Sequence, residues 1–215
     1  MSLASRVLAA PDTDAKSSQW EPEISAFEKA DQTNPPPKHP VVFAGSSSIR
    51  LWKRLAQDFK GHPVLNRGFG GSQIADVAAF SHRIIIPYEP SLIVFYAGDN
   101  DVAAGHTAEQ VLDDFKEFVV TVRRKLPNTP IAFISIKPSP ARWKYIDTIK
   151  GANRLVSEYA GSDKRLIYVD VFSRMLDAAG KPREELFVAD QLHMNAKGYV
   201  IWTDVLKAHL PSLRP

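Results

Sequence analysis

Val41-Val42-Phe43-Ala44-Gly45-Ser46-Ser47-Ser48-Ile49 sets an unbroken apolar run against a glycine and three serines. Apolar residues without alternation imply a strand buried on both faces, as in a parallel sheet covered by helices. The glycine and serines then read as a turn into a helix. Val64-Leu65-Asn66, Leu92-Ile93-Val94-Phe95-Tyr96-Ala97, Ile131-Ala132-Phe133-Ile134-Ser135-Ile136 and Leu166-Ile167-Tyr168-Val169 repeat the short apolar pattern. Amphipathic stretches near 49–59, 74–86, 108–126, 146–160 and 196–209 separate and follow them. This βαβα alternation predicts an α/β fold in three layers, αβα, around a five-stranded parallel sheet.

Local signals set the ends of several elements. Ser18-Gln19-Trp20-Glu21 fits a capping box, after which Trp20, Ile24 and Phe27 share a helix face, and Asn34-Pro35-Pro36-Pro37 ends that helix. Thr107-Ala108-Glu109-Gln110 gives a second capping box, and Asn195 suits the cap of the last helix. Residues 1–17 read as a loosely ordered arm, polar around Pro11, with one domain over 18–215.

Composition narrows the function. The chain has 215 residues, 44% of them hydrophobic, enough for one core. Its net charge is +3, but 24 acidic residues are interspersed among 27 basic ones, so no nucleic-acid partner is expected. Without cysteine there is no disulfide framework, thiolate metal site or cysteine nucleophile. No apolar stretch approaches the ~18 residues of a membrane span, so a soluble chain without stable membrane insertion is expected. Its place would be cytoplasmic, or secreted or periplasmic if a signal peptide has been trimmed.

The chemistry-bearing residues follow the strands, where open α/β sheets bind ligands. Gly45-Ser46-Ser47-Ser48 follows the first strand, Arg67-Gly68-Phe69-Gly70-Gly71 the second and Gly98-Asp99-Asn100-Asp101 the third. Each has a plain structural reading: Ser48 as a helix cap, the glycines as a tight turn, Asn100 as an Asx turn. Together with Asp190-Gln191-Leu192-His193 they also supply the parts of acyl transfer. A serine hydroxyl needs a base and the base a carboxylate, and the i, i+3 spacing lets one turn bring Asp190 to His193. A glycine N–H and an asparagine amide suit a developing oxyanion.

These blocks resemble the SGNH (GDSL-type) hydrolases, and among them the catalytic subunits of platelet-activating-factor acetylhydrolase. The likeness to the subunits extends to Gly105-His106-Thr107-Ala108-Glu109. The resemblance implies a flavodoxin-like sheet and metal-free ester hydrolysis without a cofactor. It implies Ser47, Asp190 and His193 as the catalytic residues, with the Ser47 and Gly71 N–H groups and the Asn100 amide as the oxyanion hole. Ser46 departs from the family, which usually carries aspartate there. The expected substrate is a small-molecule or carbohydrate ester with a short, acetyl-type acyl group, and the acetylhydrolase likeness implies a homodimer.

Phe69, Tyr96, Arg142 and Trp143 are candidate substrate-binding residues, Arg142 for an anionic or polyhydroxylated substrate. Trp52 lies between a pocket and a core reading, the core being favoured by its helical spacing. The alternatives are a carbohydrate O-acetylesterase, a binding module that lost turnover, and a nucleotide-binding flavodoxin-like protein. The last lacks a phosphate-loop pattern. A metal at Asp99, Asp101 and His106 is not expected, since acidic residues at strand ends are usually solvated or capping.

Overall fold

The computed structural model describes residues 19–210. The expected arm over 1–17, and Ser18 of the first capping box, lie outside the described residues. Five strands form one parallel sheet: β1 (Val41–Gly45), β2 (Val64–Gly68), β3 (Leu92–Tyr96), β4 (Ile131–Ile134) and β5 (Leu166–Val169), in the order β2-β1-β3-β4-β5. The expected three-layer, flavodoxin-like architecture is therefore what the chain adopts. Between β1 and β3 the strand order reverses, and connections leave in opposite directions there, opening a crevice beyond the carboxyl ends.

Successive strand residues point to opposite faces, so each strand feeds two cores. Val42, Ala44, Ile93 and Phe95 pack under α1 (Glu21–Thr33), α4 (Ile74–Ile84), α6 (Ala108–Arg123) and α7 (Ile146–Gly161). Phe95 stacks there against Phe118, with ring centroids 4.2 Å apart, and touches Phe115 and Phe133. Val41, Phe43, Val94 and Tyr96 face the other way, toward α8 (Ala196–His209). Trp52 is core: its ring packs among Phe43, Phe59, Tyr199 and Trp202. Burying each such ring contributes roughly 2 to 3 kcal/mol before packing specificity is counted.

The expected helix over 49–59 is instead two short ones, α2 (Ser47–Arg50) and α3 (Leu55–Asp58). Ile49, Trp52 and Leu55 recur every third residue, and all three are buried. Residues 51–54 between them form a turn, with the Lys53 N–H bonded to the Leu51 carbonyl and the Leu55 N–H to the Trp52 carbonyl. The Gly98 loop also contains a helix, α5 (Asp99–Ala103), unexpected because Asp and Asn are weak helix formers. Thr107 and Gln110 make the reciprocal cap of α6, and Asn195 Oδ1 accepts the Lys197 and Gly198 N–H groups at the start of α8. Among the described residues no helix is long and apolar enough to cross a membrane.

Candidate active site

Gly45 has φ of 139°, and a Cβ on it would stand 1.9 Å from the Tyr96 carbonyl oxygen. Only glycine lets β1 end this close to β3. The chain then turns so that Ser46 N–H donates to that carbonyl, and Ser47 begins α2. Two side chains brace the short helix from opposite sides. Asn66 donates to the Ile49 carbonyl at 2.7 Å, and the Tyr199 hydroxyl donates to the Ser48 carbonyl at 2.9 Å. Neither brace was found from sequence, because both partners are distant along the chain. Ser46 is fully buried and its hydroxyl has no partner among the described residues, so its contribution to the turn comes from its backbone.

The loop carrying Asp190 and His193 folds back on itself. Phe187 and Met194 form an antiparallel bridge, and Val188 N–H donates to the His193 carbonyl. Gln191 takes a left-handed φ of 56° at the bend. One Asp190 oxygen accepts the backbone N–H groups of Leu192 and His193, both at 2.9 Å, and the other accepts from His193 Nδ1 at 2.6 Å. Burial pushes the Asp190 carboxyl upward, but these hydrogen bonds outweigh it and bring it down to about 2. An ionised partner at Nδ1 leaves Nε2 free to accept, and Nε2 lies 3.0 Å from Ser47 Oγ.

Gly71 and Asn100 lie on the flanking loops. Gly71 is exposed with φ of 74°, the left-handed region that suits glycine. Asn100 lies in the first turn of α5 and donates to the Ser72 carbonyl at 3.1 Å, which ties the loops after β2 and β3 together. One N–H of that amide remains for another acceptor.

Two expected substrate contacts are corrected. Phe69 and Tyr96 are 0% exposed. Phe69 packs edge-on against Trp20 and Phe80, and Tyr96 packs on Trp202. Their sheet-face parity turns both rings into the core instead of the crevice. Arg142 and Trp143 are half-buried on the 3-10 turn Pro140–Tyr145, and Ala141 N–H donates to the Gln191 carbonyl at 3.0 Å. The turn therefore adjoins the Asp190 to His193 loop.

Beneath the site is a buried ion pair that sequence reasoning missed. Lys137 Nζ donates to Asp99 Oδ2 at 2.6 Å and to the Tyr96 hydroxyl at 3.0 Å, and both charged residues are buried. Burial alone would raise the Asp99 carboxyl, but the Lys137 ammonium outweighs it and holds it below the usual range. Burial first, and the Asp99 charge second, push the Tyr96 phenol well up. Among the described residues, donor atoms of Asp101, His106 and Asp114 lie within 4.8 Å of one another and are the group that could hold a metal ion. Asp99, committed to Lys137, is not part of that group. His106 Nδ1 meets Asp114 at 3.1 Å, and Asp101 accepts the Ile74 N–H at 3.0 Å.

The sequence model of the GDSL-like lipase/acylhydrolase family matches residues 37–201. The chain belongs to this family of hydrolases. This GDSL-type chain is similar to the platelet-activating factor acetylhydrolase IB subunit alpha1 of Bos taurus, 26% identical over 171 residues, covering 74% of this chain and 69% of the relative. Its fold is similar to that of a GDSL-like lipase from Bacteroides thetaiotaomicron, with a TM-score of 0.71, 20% identity, and 93% and 99% of the two chains covered. It is also similar to a Clostridium thermocellum family 3 carbohydrate esterase, with a TM-score of 0.64, 16% identity, and 82% and 97% covered. At these identities the structures speak for the fold.

Two outcomes follow for the polar interior of this GDSL-type chain. Lys137→Met strands the Asp99 charge and is expected to cost about 3 to 5 kcal/mol in urea unfolding, part of it recovered when Asp99→Asn is added. Single and double variants of equal stability would show that the pair carries no such coupling. Burial raises Asp101 from 3.8 to about 6, against the Ile74 N–H. Between those values the folded state keeps a proton that the unfolded chain has lost, so stability falls as pH rises through the window. Asp101→Asn is expected to be more stable than wild type above about pH 6, by on the order of 3 kcal/mol. The advantage should vanish below pH 3.8; a gain independent of pH would refute the titration.

Proposed function

We propose that the chain is a serine esterase that hydrolyses short-chain carboxylic esters through an acyl-enzyme on Ser47. The observation that carries this reading is the continuous relay from Asp190 through His193 to Ser47, at 2.6 and 3.0 Å. His193 Nε2 takes the Ser47 proton as Oγ attacks the ester carbonyl, while Asp190 fixes the tautomer and steadies the imidazolium. The oxyanion is received by the N–H groups of Ser47 and Gly71 and by the Asn100 amide. His193 then gives its proton to the leaving alcohol. Next it takes one from water, which attacks the acyl-enzyme to release the acid and restore Ser47. Nucleophile, base and oxyanion donors all come from the protein, so the reaction as proposed uses neither metal nor cofactor.

The exposed Gly71 and half-buried Ser47, Asn100 and His193 leave the relay open to an ester arriving from solvent, and the likeness to an acetylhydrolase subunit supports a small acyl group. A carbohydrate O-acetylesterase fits the same machinery, as the name of the Clostridium neighbour suggests for that protein. The test is hydrolysis of p-nitrophenyl acetate, butyrate and octanoate with a chelator present. Rates should fall from acetate to octanoate. Ser47→Ala should lose roughly 10^4-fold or more in kcat, and Asn100→Ala roughly 10^2 to 10^3-fold, with the fold of each intact by circular dichroism. Undiminished turnover by Ser47→Ala would overturn the assignment. Absence of turnover on these esters, with turnover on acetylated sugars, would select the carbohydrate reading.

A further inference from the structure

The 3-10 turn Pro140–Tyr145 packs against α5, which carries Asn100, and hydrogen-bonds the Gln191 carbonyl of the His193 loop. Unpartnered polar atoms concentrate where these segments meet. Ser139 is buried and its hydroxyl has no partner among the described residues; Gln191 Oε1, Asp99 Oδ1 and Arg142 Nε are likewise buried atoms without one. Each such atom is destabilising while it lacks a partner. Native interiors rarely gather them without a use.

Charge says what kind of ligand suits the place. Asp99 is engaged by Lys137, and Asp190 by His193 and two backbone N–H groups. Arg142 differs: among the described residues its side chain makes no ion pair within contact distance and no hydrogen bond. Its Nε is buried while the residue as a whole is half-buried, so the stem is held by the protein and the two terminal nitrogens face the surface. Its charge reaches Asp99, beside the Asn100 oxyanion donor. A guanidinium held at its stem, with its terminal donors free of hydrogen bonds among the described residues, favours a carboxylate or phosphate, which it grips with two parallel donors. The Ser139 hydroxyl can donate alongside it. The Gln191 amide can do the same once rotated, since its O and N positions are interchangeable by a flip.

We propose that Arg142, with Ser139 and Gln191, forms a subsite for an anionic group on the ester, which makes Arg142 a specificity-determining residue. The proposal rests on the esterase reading above and supplies its substrate class: esters that carry a carboxylate or phosphate a few bonds from the scissile carbonyl. The subsite lies outside the Ser47, His193 and Asp190 relay and supplies binding and orientation, leaving proton transfer to the relay.

Two matched pairs of esters test it. Monophenyl succinate against phenyl butyrate places the charge on the acyl side, and 4-acetoxybenzoate against phenyl acetate places it on the alcohol side. Wild type is expected to favour the anionic member of one pair by about tenfold or more in kcat/KM, a preference that weakens as salt is added. Arg142→Gln should bring that ratio near unity, and Arg142→Lys should keep part of it. Ser47-dependent turnover without a charge preference, or with one that Arg142→Gln retains, would overturn the subsite and leave the esterase standing. If neither these esters nor acetylated sugars turn over, the esterase reading fails by itself. The subsite is then judged by calorimetric titration of Ser47→Ala with succinate and with inorganic phosphate. Binding abolished by adding Arg142→Gln supports it; no binding, or binding that survives, overturns it.

Discussion

The 1.9 Å that would separate a Gly45 Cβ from the Tyr96 carbonyl oxygen leaves no room for any side chain where β1 ends. With glycine there, β1 and β3 stay in register to their last residues, Gly45 opposite Tyr96. The Ser46 N–H then closes onto the same carbonyl. Ser47 is thereby fixed at the point where the strand order reverses, between the loops that carry Gly71 and Asn100. A larger residue at position 45 would force the strands apart at their carboxyl ends and displace the serine from all of its neighbours.

Everything else at that end of the sheet holds loops against this fixed point. Asn66 and Tyr199 grip the short helix behind Ser47, and Asn100 ties its own loop to Ser72. The bent segment from Val188 to His193 presents the imidazole, with its carboxylate partner three residues away and already ordered by two backbone N–H groups. Below, the Lys137 and Asp99 pair places a full positive and a full negative charge in the interior, within hydrogen-bond reach of each other. Such a pair stabilises little relative to apolar packing, yet it disfavours alternative positions for the α5 loop because separating the charges is costly. Arg142, on the adjoining 3-10 turn, adds its charge to that of Lys137 on Asp99 while, among the described residues, making no hydrogen bond through its side chain.

Much of this was legible in the sequence where the cause is local. The central strands β1, β3 and β4 are buried on both faces and read as continuous apolar runs, and the part-exposed edge strands β2 and β5 still show short apolar stretches at the same spacing. Thr107 and Asn195 cap their helices through bonds to residues two or three positions away. The Asp190 and His193 pairing is likewise short-range, whereas position after a strand leaves three adjacent serines open and the resemblance to the SGNH hydrolases is what points to Ser47. What failed depends on contacts distant in sequence. Lys137 looks like an exposed lysine until Asp99, 38 residues earlier, is brought beneath it. Phe69 and Tyr96 were taken for crevice residues because strand-end position does not reveal which way the pleat turns a ring. The break between α2 and α3 and the appearance of α5 are likewise decided by what the segments pack against, which overrides the propensity of the residues themselves.

The central claim is that Ser47 is a nucleophile activated by His193, and a mechanism-based phosphonylating probe reads this without knowledge of the natural ester. Intact-protein and peptide mass spectrometry after treatment with a fluorophosphonate should show one adduct, located on Ser47, and its formation should slow by orders of magnitude in His193→Ala. Labelling at another residue, or labelling of Ser47 at an undiminished rate without His193, would contradict the account.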